Sequence, residues 1–339
     1  MSLLDALLPD RTTRLLQRWA GRPAGAKLQQ VVTKPGWFSA QLSTMGTAVS
    51  AELWAADAAE ATAALDAVMA EMQRINDTFS PHLANSELTR INREAAHHPV
   101  ALSEEMTRLL GRALDLSALS DGAFDITYAA VGQHYDYRAG TAPDAATLTN
   151  ALACVDWRLL ELDRQAGTLR FGRPGMRIDL GGFAKGHAVD NAVALLRQRG
   201  IHHAMVAAGG DSHVLGDRRG RPWTVAIRDP RQAGEAVAVL PLQDTAVSTS
   251  GDYERFFERG GLRHHHLLDP RTGQSPRDVR SVTVLGDDGL SCEALSKTVF
   301  VMGRRRGLAL IDSLPGLDAV VVDADGALHF SAGLQQALA

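Results

Sequence analysis

Short runs of alternating apolar and polar residues are mixed along this chain with stretches of 3.6-residue periodicity, and the two never settle into a strand–helix–strand repeat. That order favours an α+β fold over a doubly wound parallel sheet. Phe38 to Trp54 alternates and reads as one or two strands around Met45-Gly46-Thr47. Ala55 to Asn76 carries Leu65, Val68, Met69, Met72 and Ile75 at helical spacing. Ser103 to Leu119 reads as a second helix, with Glu104 and Glu105 in its first turn. Leu159–Leu162 and Thr168–Phe171 form an expected hairpin, and Arg177-Ile178-Asp179 an expected strand end. Ala184 to Arg199 is a predicted helix, followed by short strands at 203–208, 213–215, 223–227, 236–242, 246–249 and 282–285. Helices at 292–302 and 305–314 and a hairpin at 319–330 close the chain.

Residues 21–35, with Gly21, Pro23, Gly25 and Pro35, read as a linker, and residues 1–20 as a short amphipathic arm that docks on the body. The expectation is therefore an N-terminal arm and linker over 1–35 and one catalytic domain, with room for two lobes, over 36–339. The arm has no uninterrupted apolar core and no lipid-accepting cysteine, so it is not read as a secretory signal, and a cytoplasmic location is expected. No stretch is long and apolar enough to span a bilayer, so no integral membrane segment is expected. A formal net charge of −4 argues against a general nucleic-acid binder. Two distant cysteines, Cys154 and Cys292, build neither a disulfide framework nor a cysteine zinc site.

The densest candidate for chemistry is Ile178-Asp179-Leu180-Gly181-Gly182-Phe183-Ala184-Lys185-Gly186-His187-Ala188-Val189-Asp190. A carboxylate, a Gly-Gly turn and a helix start with a lysine in its first turn make an anion site. The same glycines also serve a plain strand–helix connection. It is not a nucleotide P-loop, whose spacing and Lys-Ser/Thr pair are missing. Gly209-Gly210-Asp211 and Ser248-Thr249-Ser250-Gly251-Asp252 are two further turns rich in small or hydroxyl side chains. In His264-His265-His266, neighbours on a strand point to opposite faces, so one imidazole facing a cleft as general base is favoured over a histidine metal site.

Taken in order, Met45-Gly46-Thr47, Asn85-Ser86-Glu87-Leu88, Asp121-Gly122-Ala123-Phe124-Asp125-Ile126-Thr127, the glycine segment 179–186, Gly209-Gly210-Asp211, Thr249-Ser250-Gly251-Asp252-Tyr253 and His266-Leu267-Leu268-Asp269-Pro270-Arg271-Thr272-Gly273 resemble the ApbE-type FAD:protein FMN transferase family. The resemblance runs over roughly 36–339. It implies an α+β domain related to the T-fold, which binds FAD and Mg²⁺, releases AMP and joins FMN to a Thr or Ser hydroxyl of an acceptor flavoprotein. By the same resemblance Met45 and Phe79 match positions near the flavin ring or adenine. Ala123, Phe124 and Asp125 match an FAD-contacting turn, and Asp179, Lys185, Thr249, Ser250 and Gly251 match FAD-binding segments. His266 and Asp269 match the catalytic segment, His266 as the base for the acceptor hydroxyl, and the Gly182 carbonyl matches a metal contact. Taken singly, Met45, Phe79 and Phe124 would read as core packing.

The chain departs from the family pattern at Cys292-Glu293-Ala294-Leu295-Ser296-Lys297-Thr298, where an Asp-Ala-Leu-Ser-Thr-type segment is expected. Glu293 replaces the metal-binding Asp and Lys297 the Thr, and a protonated lysine cannot ligate a metal. The expectation is that Lys297 stands in the cation position facing the FAD pyrophosphate, with metal retained at Gly182 and Glu293 only if Lys297 leaves room. The rival readings are a non-catalytic FAD-binding carrier or scaffold and an FAD pyrophosphatase without an acceptor.

Overall fold

The computed structural model describes residues 35–338, so the arm reading falls outside the described residues. Two strands, β1 (Gly36–Thr44) and β2 (Thr47–Ala55), form a hairpin whose two-residue loop is Met45-Gly46, at φ 52° and 69°. Positive φ at both loop positions matches the twist of the flanking strands. Then follow α1 (Ala58–Phe79), α2 (Glu87–Glu94), β3 (Val100–Ala101), α3 (Glu104–Leu119), α4 (Ala129–Gly132) and α5 (Ala145–Leu152). The middle holds β4 (Leu160–Asp163), β5 (Thr168–Phe171), α6 (Ala184–Gln198), β6 (Ala204–Ala208), β7 (Asp211–Leu215), β8 (Trp223–Arg228), β9 (Ala236–Leu242), β10 (Thr245–Gly251), β11 (Phe256–Arg259) and β12 (Leu262–His265). The chain ends with β13 (Val279–Gly286), α7 (Gly289–Met302), α8 (Arg304–Asp312), β14 (Asp318–Asp323), β15 (Leu328–Phe330) and α9 (Ala332–Leu338).

The frame is an eight-stranded sheet ordered β1-β2-β6-β7-β10-β13-β14-β15, antiparallel at every pairing. Helix α1 packs on β1 and β2, α6 on β6 and β7, and α7 on β10 and β13, so three helices lie side by side across the sheet. Their apolar faces make the main core: Leu65, Val68, Met72 and Ile75 of α1, Val189, Ala192, Val193 and Leu196 of α6, and Leu295, Val299 and Phe300 of α7. Asp57 caps α1 by accepting from the N–H groups of Ala59 and Glu60 at 2.8 and 2.9 Å. Ser103 caps α3 by accepting from Met106 N–H at 3.1 Å, as its position before an acidic first turn implies. No helix among the described residues is long and apolar enough to cross a membrane.

Two expectations change. Arg177-Ile178-Asp179 is not a strand. Its backbone bonds run to the Asn92 side chain, at 2.8 Å from Ile178 N–H and 2.9 Å to Ile178 C=O, and from Asp179 N–H to Ile126 C=O at 3.0 Å. A side-chain amide does the work of a neighbouring strand. Thr249-Ser250-Gly251 is not a turn after a strand but the end of β10, paired with Ser281–Thr283 of β13.

Candidate active site

Helices α6 and α7 cross at two glycines. A Cβ on Gly186 would lie 2.1 Å from the Gly289 carbonyl oxygen, and one on Gly289 would lie 2.9 Å from the Gly186 carbonyl oxygen. Neither position accepts a side chain without parting the helices. Each helix also caps the other. Glu293 of α7 accepts from the Gly186 N–H in the first turn of α6 at 2.7 Å. Asp190 of α6 accepts from the Gly289 and Leu290 N–H groups of α7 at 2.8 and 3.1 Å, and takes a third bond from His213 Nδ1 at 2.9 Å. The donors left over at two helix starts are thus satisfied by carboxylates, which also suit the positive end of each helix dipole.

That crossing gathers four charges. Lys185 Nζ bonds to Asp211 at 2.7 Å and to Glu293 Oε1, and Lys297 Nζ bonds to the same Glu293 Oε1 at 3.0 Å. The carboxylates are buried, with side chains 5% exposed for Asp211 and 0% for Glu293, whereas Lys185 and Lys297 keep 23% and 19%. The cluster is therefore dry at its acids and open at its amines. Burial pushes Glu293 up, but the two ammonium groups and the Gly186 N–H outweigh it, leaving it below the ordinary range. Burial and the Glu293 charge push Asp211 up. Burial lowers Lys297, while Lys185 is raised against burial by Asp211 and Glu293. Ser248 Oγ donates to Asp211 at 2.5 Å, and Ser296 Oγ lies 3.2 Å from Ser248 Oγ and 2.8 Å from Ser250 Oγ, tying β10 to α7 behind the charges.

Gly182 sits beside this cluster. A Cβ there would lie 3.1 Å from the Phe124 ring and 3.8 Å from Lys297 Cδ, so the Gly-Gly turn leaves the lysine stem its path. The Lys297 stem thus passes the glycine turn. Asp179 accepts from Gly181 N–H at 2.6 Å, so that N–H is committed within the turn, and burial holds the Asp179 carboxyl above its ordinary range.

His266 follows β12. Its N–H donates to Arg255 C=O at 3.1 Å, and its ring Nδ1 is buried with no partner among the described residues. Burial, then Lys297 and neighbouring cations, lowers His266 to about 3, so the free imidazole is neutral. Arg255 Nη2 in turn donates to Gly46 C=O at 3.3 Å, and Thr47 Oγ1 would lie 2.7 Å from a Cβ on Gly209. The β1–β2 hairpin tip, the β6–β7 turn and the His266 segment therefore meet at one end of the sheet. A cavity of about 330 Å³ lies at that tip, lined by Ser43, Thr44, Gly46 and Thr47.

Other sequence candidates are placed differently. Asp269 bonds through both oxygens to Arg271, at 2.9 Å to the N–H and 3.0 and 2.9 Å to the guanidinium, and closes its own turn. Asp125 accepts from Thr127 N–H and Thr127 Oγ1 at 2.8 and 2.6 Å through Oδ1, capping a short 3₁₀ turn, and from Trp157 N–H at 3.0 Å through Oδ2, so both its oxygens are committed. Thr249 and Ser250 alternate across β10: Ser250 faces Ser296, while Thr249 bonds to Thr283 at 2.9 Å, so the two do not line one surface. A Cβ on Gly251 would lie 2.3 Å from the Tyr253 ring. Phe79 and Phe124 belong to the main core, with Phe79 edge-on to His187 at 6.3 Å, and Met45 packs against that core partly buried. Ala123 is buried beside Phe124. The sequence places Asp190 in the glycine segment and Asp211 in the Gly209-Gly210-Asp211 turn but assigns neither a role in the site. For Asp211 the signal was available, because the acid opens a strand that meets the Ser248 strand.

The ApbE family model matches residues 45–321. The chain belongs to the ApbE family. It is 35% identical over 297 residues to the FAD:protein FMN transferase of Treponema pallidum, which spans 82% of each chain. Among solved structures, the ApbE protein of Thermotoga maritima superposes with a TM-score of 0.82 at 30% identity, covering 89% of this chain and 99% of that one. The flavin transferase ApbE of Vibrio cholerae gives 0.80 at 26% identity, covering 89% and 99%. The mixed α/β architecture expected from the order of elements is the fold of these ApbE structures.

The ApbE resemblance implies a divalent metal at Gly182 and Glu293, but the residues present do not fit one. Glu293 Oε1 already holds two ammonium groups and Oε2 holds the Gly186 N–H. No group of three or more His, Cys, Asp or Glu side chains able to hold a metal occurs among the described residues. A lysine has three donors and no acceptor, so it cannot take a ligand's place.

Proposed function

We propose that this chain is an FAD:protein FMN transferase in which Glu293 and Lys297 alter the metal site of the family. What supports the reading most is the pair of amines, Lys185 and Lys297, set side by side on a buried carboxylate next to the Gly181-Gly182 turn. Two ammonium groups at the open end of a dry cluster suit the diphosphate of a dinucleotide. FAD is the substrate, and the partner is a flavoprotein with a target Thr or Ser. In the transfer, the hydroxyl oxygen of that residue bonds to the FMN phosphorus. The pyrophosphate P–O bond breaks, AMP leaves with the electron pair, and the hydroxyl proton passes to the His266 imidazole. His266 is suited to this role because it is neutral and its ring Nδ1 is unpartnered among the described residues. Its low proton affinity in the free protein comes after burial from surrounding cations, and a bound diphosphate offsets these.

A non-catalytic FAD binder is the second reading, favoured by Lys297 standing where a metal-binding Thr is expected. The experiment combines the protein, FAD and a candidate acceptor, followed by in-gel flavin fluorescence under denaturing conditions and measurement of AMP. Flavin covalently on the acceptor with matching AMP is the expected result. Bound, intact FAD with no labelled acceptor gives the second reading. AMP without labelled acceptor makes the chain a pyrophosphatase.

A further inference from the structure

Every carboxylate oxygen at the α6–α7 crossing already has a donor. Glu293 Oε1 accepts from Lys185 and Lys297, and Glu293 Oε2 from Gly186 N–H. Asp211 Oδ2 pairs with Lys185 at 2.7 Å, and Asp211 Oδ1 accepts from Ser248 Oγ at 2.5 Å. A small divalent cation demands about six oxygen ligands near 2.1 Å. To supply even two of them here, Glu293 Oε1 and Asp211 Oδ2 would have to give up the Lys185 and Lys297 amines, and any further oxygen would strip the Gly186 N–H or the Ser248 hydroxyl of its acceptor, leaving a buried donor unsatisfied. The cluster is already balanced, two ammonium groups against two carboxylates.

Lys297 has what an incoming anion needs. Its ammonium carries three donors; one goes to Glu293 Oε1 at 3.0 Å, and a second makes a long contact of 3.4 Å to Glu293 C=O. The third has no partner among the described residues and is open to a ligand, on a side chain that reaches past Gly182 and is 19% exposed. Lys185, by contrast, is anchored on two carboxylates.

We propose that the Lys297 ammonium replaces the divalent cation at this site, so that the chain recognises the diphosphate of FAD without a metal. The proposal rests on the FAD reading above and deepens it. One amine supplies a single charge and directional N–H donors, and the diphosphate is held by Lys297 and Lys185 together with the Gly182 turn.

The test is equilibrium binding of FAD to the wild-type protein, read by flavin fluorescence, in EDTA and in excess Mg²⁺. Affinities equal within about twofold are expected, and Mg²⁺ alone is expected to leave the melting temperature unchanged. Lys297→Met, shown folded by its melting curve, loses about tenfold or more in FAD affinity in both buffers. The double variant Glu293→Asp/Lys297→Thr removes the amine and makes FAD binding respond to Mg²⁺. Wild-type FAD binding that requires Mg²⁺ overturns the proposal and leaves the transferase reading standing. Failure to bind FAD in either buffer overturns both. The wild-type comparison needs no variant, so misfolding of a mutant does not decide the outcome.

Discussion

Gly186→Ala should destabilise the protein although alanine is the better helix former. Inside a free helix the change would gain about 1 kcal/mol. Here the new Cβ would stand 2.1 Å from the Gly289 carbonyl oxygen, a backbone atom that cannot swing aside. The two helices must part by about 1 Å, and overpacking of that kind costs about 1–3 kcal/mol. Parting them also stretches the 2.7 Å bond from Gly186 N–H to Glu293, and a hydrogen bond to a buried charge contributes about 1.5–3 kcal/mol. After the propensity gain, the net loss is roughly 2–5 kcal/mol, or a fall in Tm on the order of 3–7 °C for a chain of this size. Gly111→Ala in α3 is the control. Its Cβ would meet the guanidinium of Arg164 at 3.2 Å, the far end of a half-exposed side chain that can move. Thermal melts followed by circular dichroism measure both. A Gly186→Ala melt within a degree or so of wild type, or an equal drop in Gly111→Ala, would refute the close-crossing argument.

Asp190→Asn should lower the urea midpoint, with a loss of about 1–3 kcal/mol, because the new amide turns an N–H towards the Gly289, Leu290 and His213 donors that the carboxylate satisfied. An unchanged midpoint would remove Asp190 from the helix crossing. His266 makes stability depend on acid. Its folded value of about 3 lies below the ordinary 6.5, so the unfolded chain takes up the proton first as pH falls. The contribution is whole above about 6.5 and is lost progressively as pH falls towards 3. His266→Gln should flatten the fall in Tm across that window, and an identical pH profile for the variant would contradict the buried neutral imidazole.

The helix that carries Lys185 was legible because its apolar positions recur at helical spacing, and the Met45-Gly46 hairpin tip because the flanking residues alternate. The strand expected at 177–179 was not there, since three apolar-and-charged residues give no sign that an Asn side chain, 86 positions away, will take their hydrogen bonds. Thr249 and Ser250 looked like one hydroxyl-rich turn, and only the strand's alternation separates them onto two faces. The Gly186–Gly289 contact spans about a hundred residues, beyond any local pattern, and with it went the reciprocal capping by Asp190 and Glu293. Lys297 was legible as a departure only against the pattern of the family it resembles, and its four-residue spacing from Glu293 puts both on one helix face.

The charge cluster is hard to explain as scaffold. A second network in the protein joins Glu71, Arg74, Glu105, His187 and Asn191 across α1, α3 and α6, with Arg74 45% exposed, and a network so placed keeps much of its hydration. At the α6–α7 crossing, Glu293 is fully buried and Asp211 nearly so, and removing two carboxylates from water costs several kcal/mol each. Apolar side chains of similar volume would hold the same helices together at lower cost, since the two glycines already bring the backbones into contact. The arrangement also leaves its two amines, and not its acids, at the open end. A cluster built only to join helices would have no reason to turn one sign of charge outward. One that receives an anionic diphosphate does, and the buried carboxylates then serve to keep both lysines charged and aimed while the site is empty.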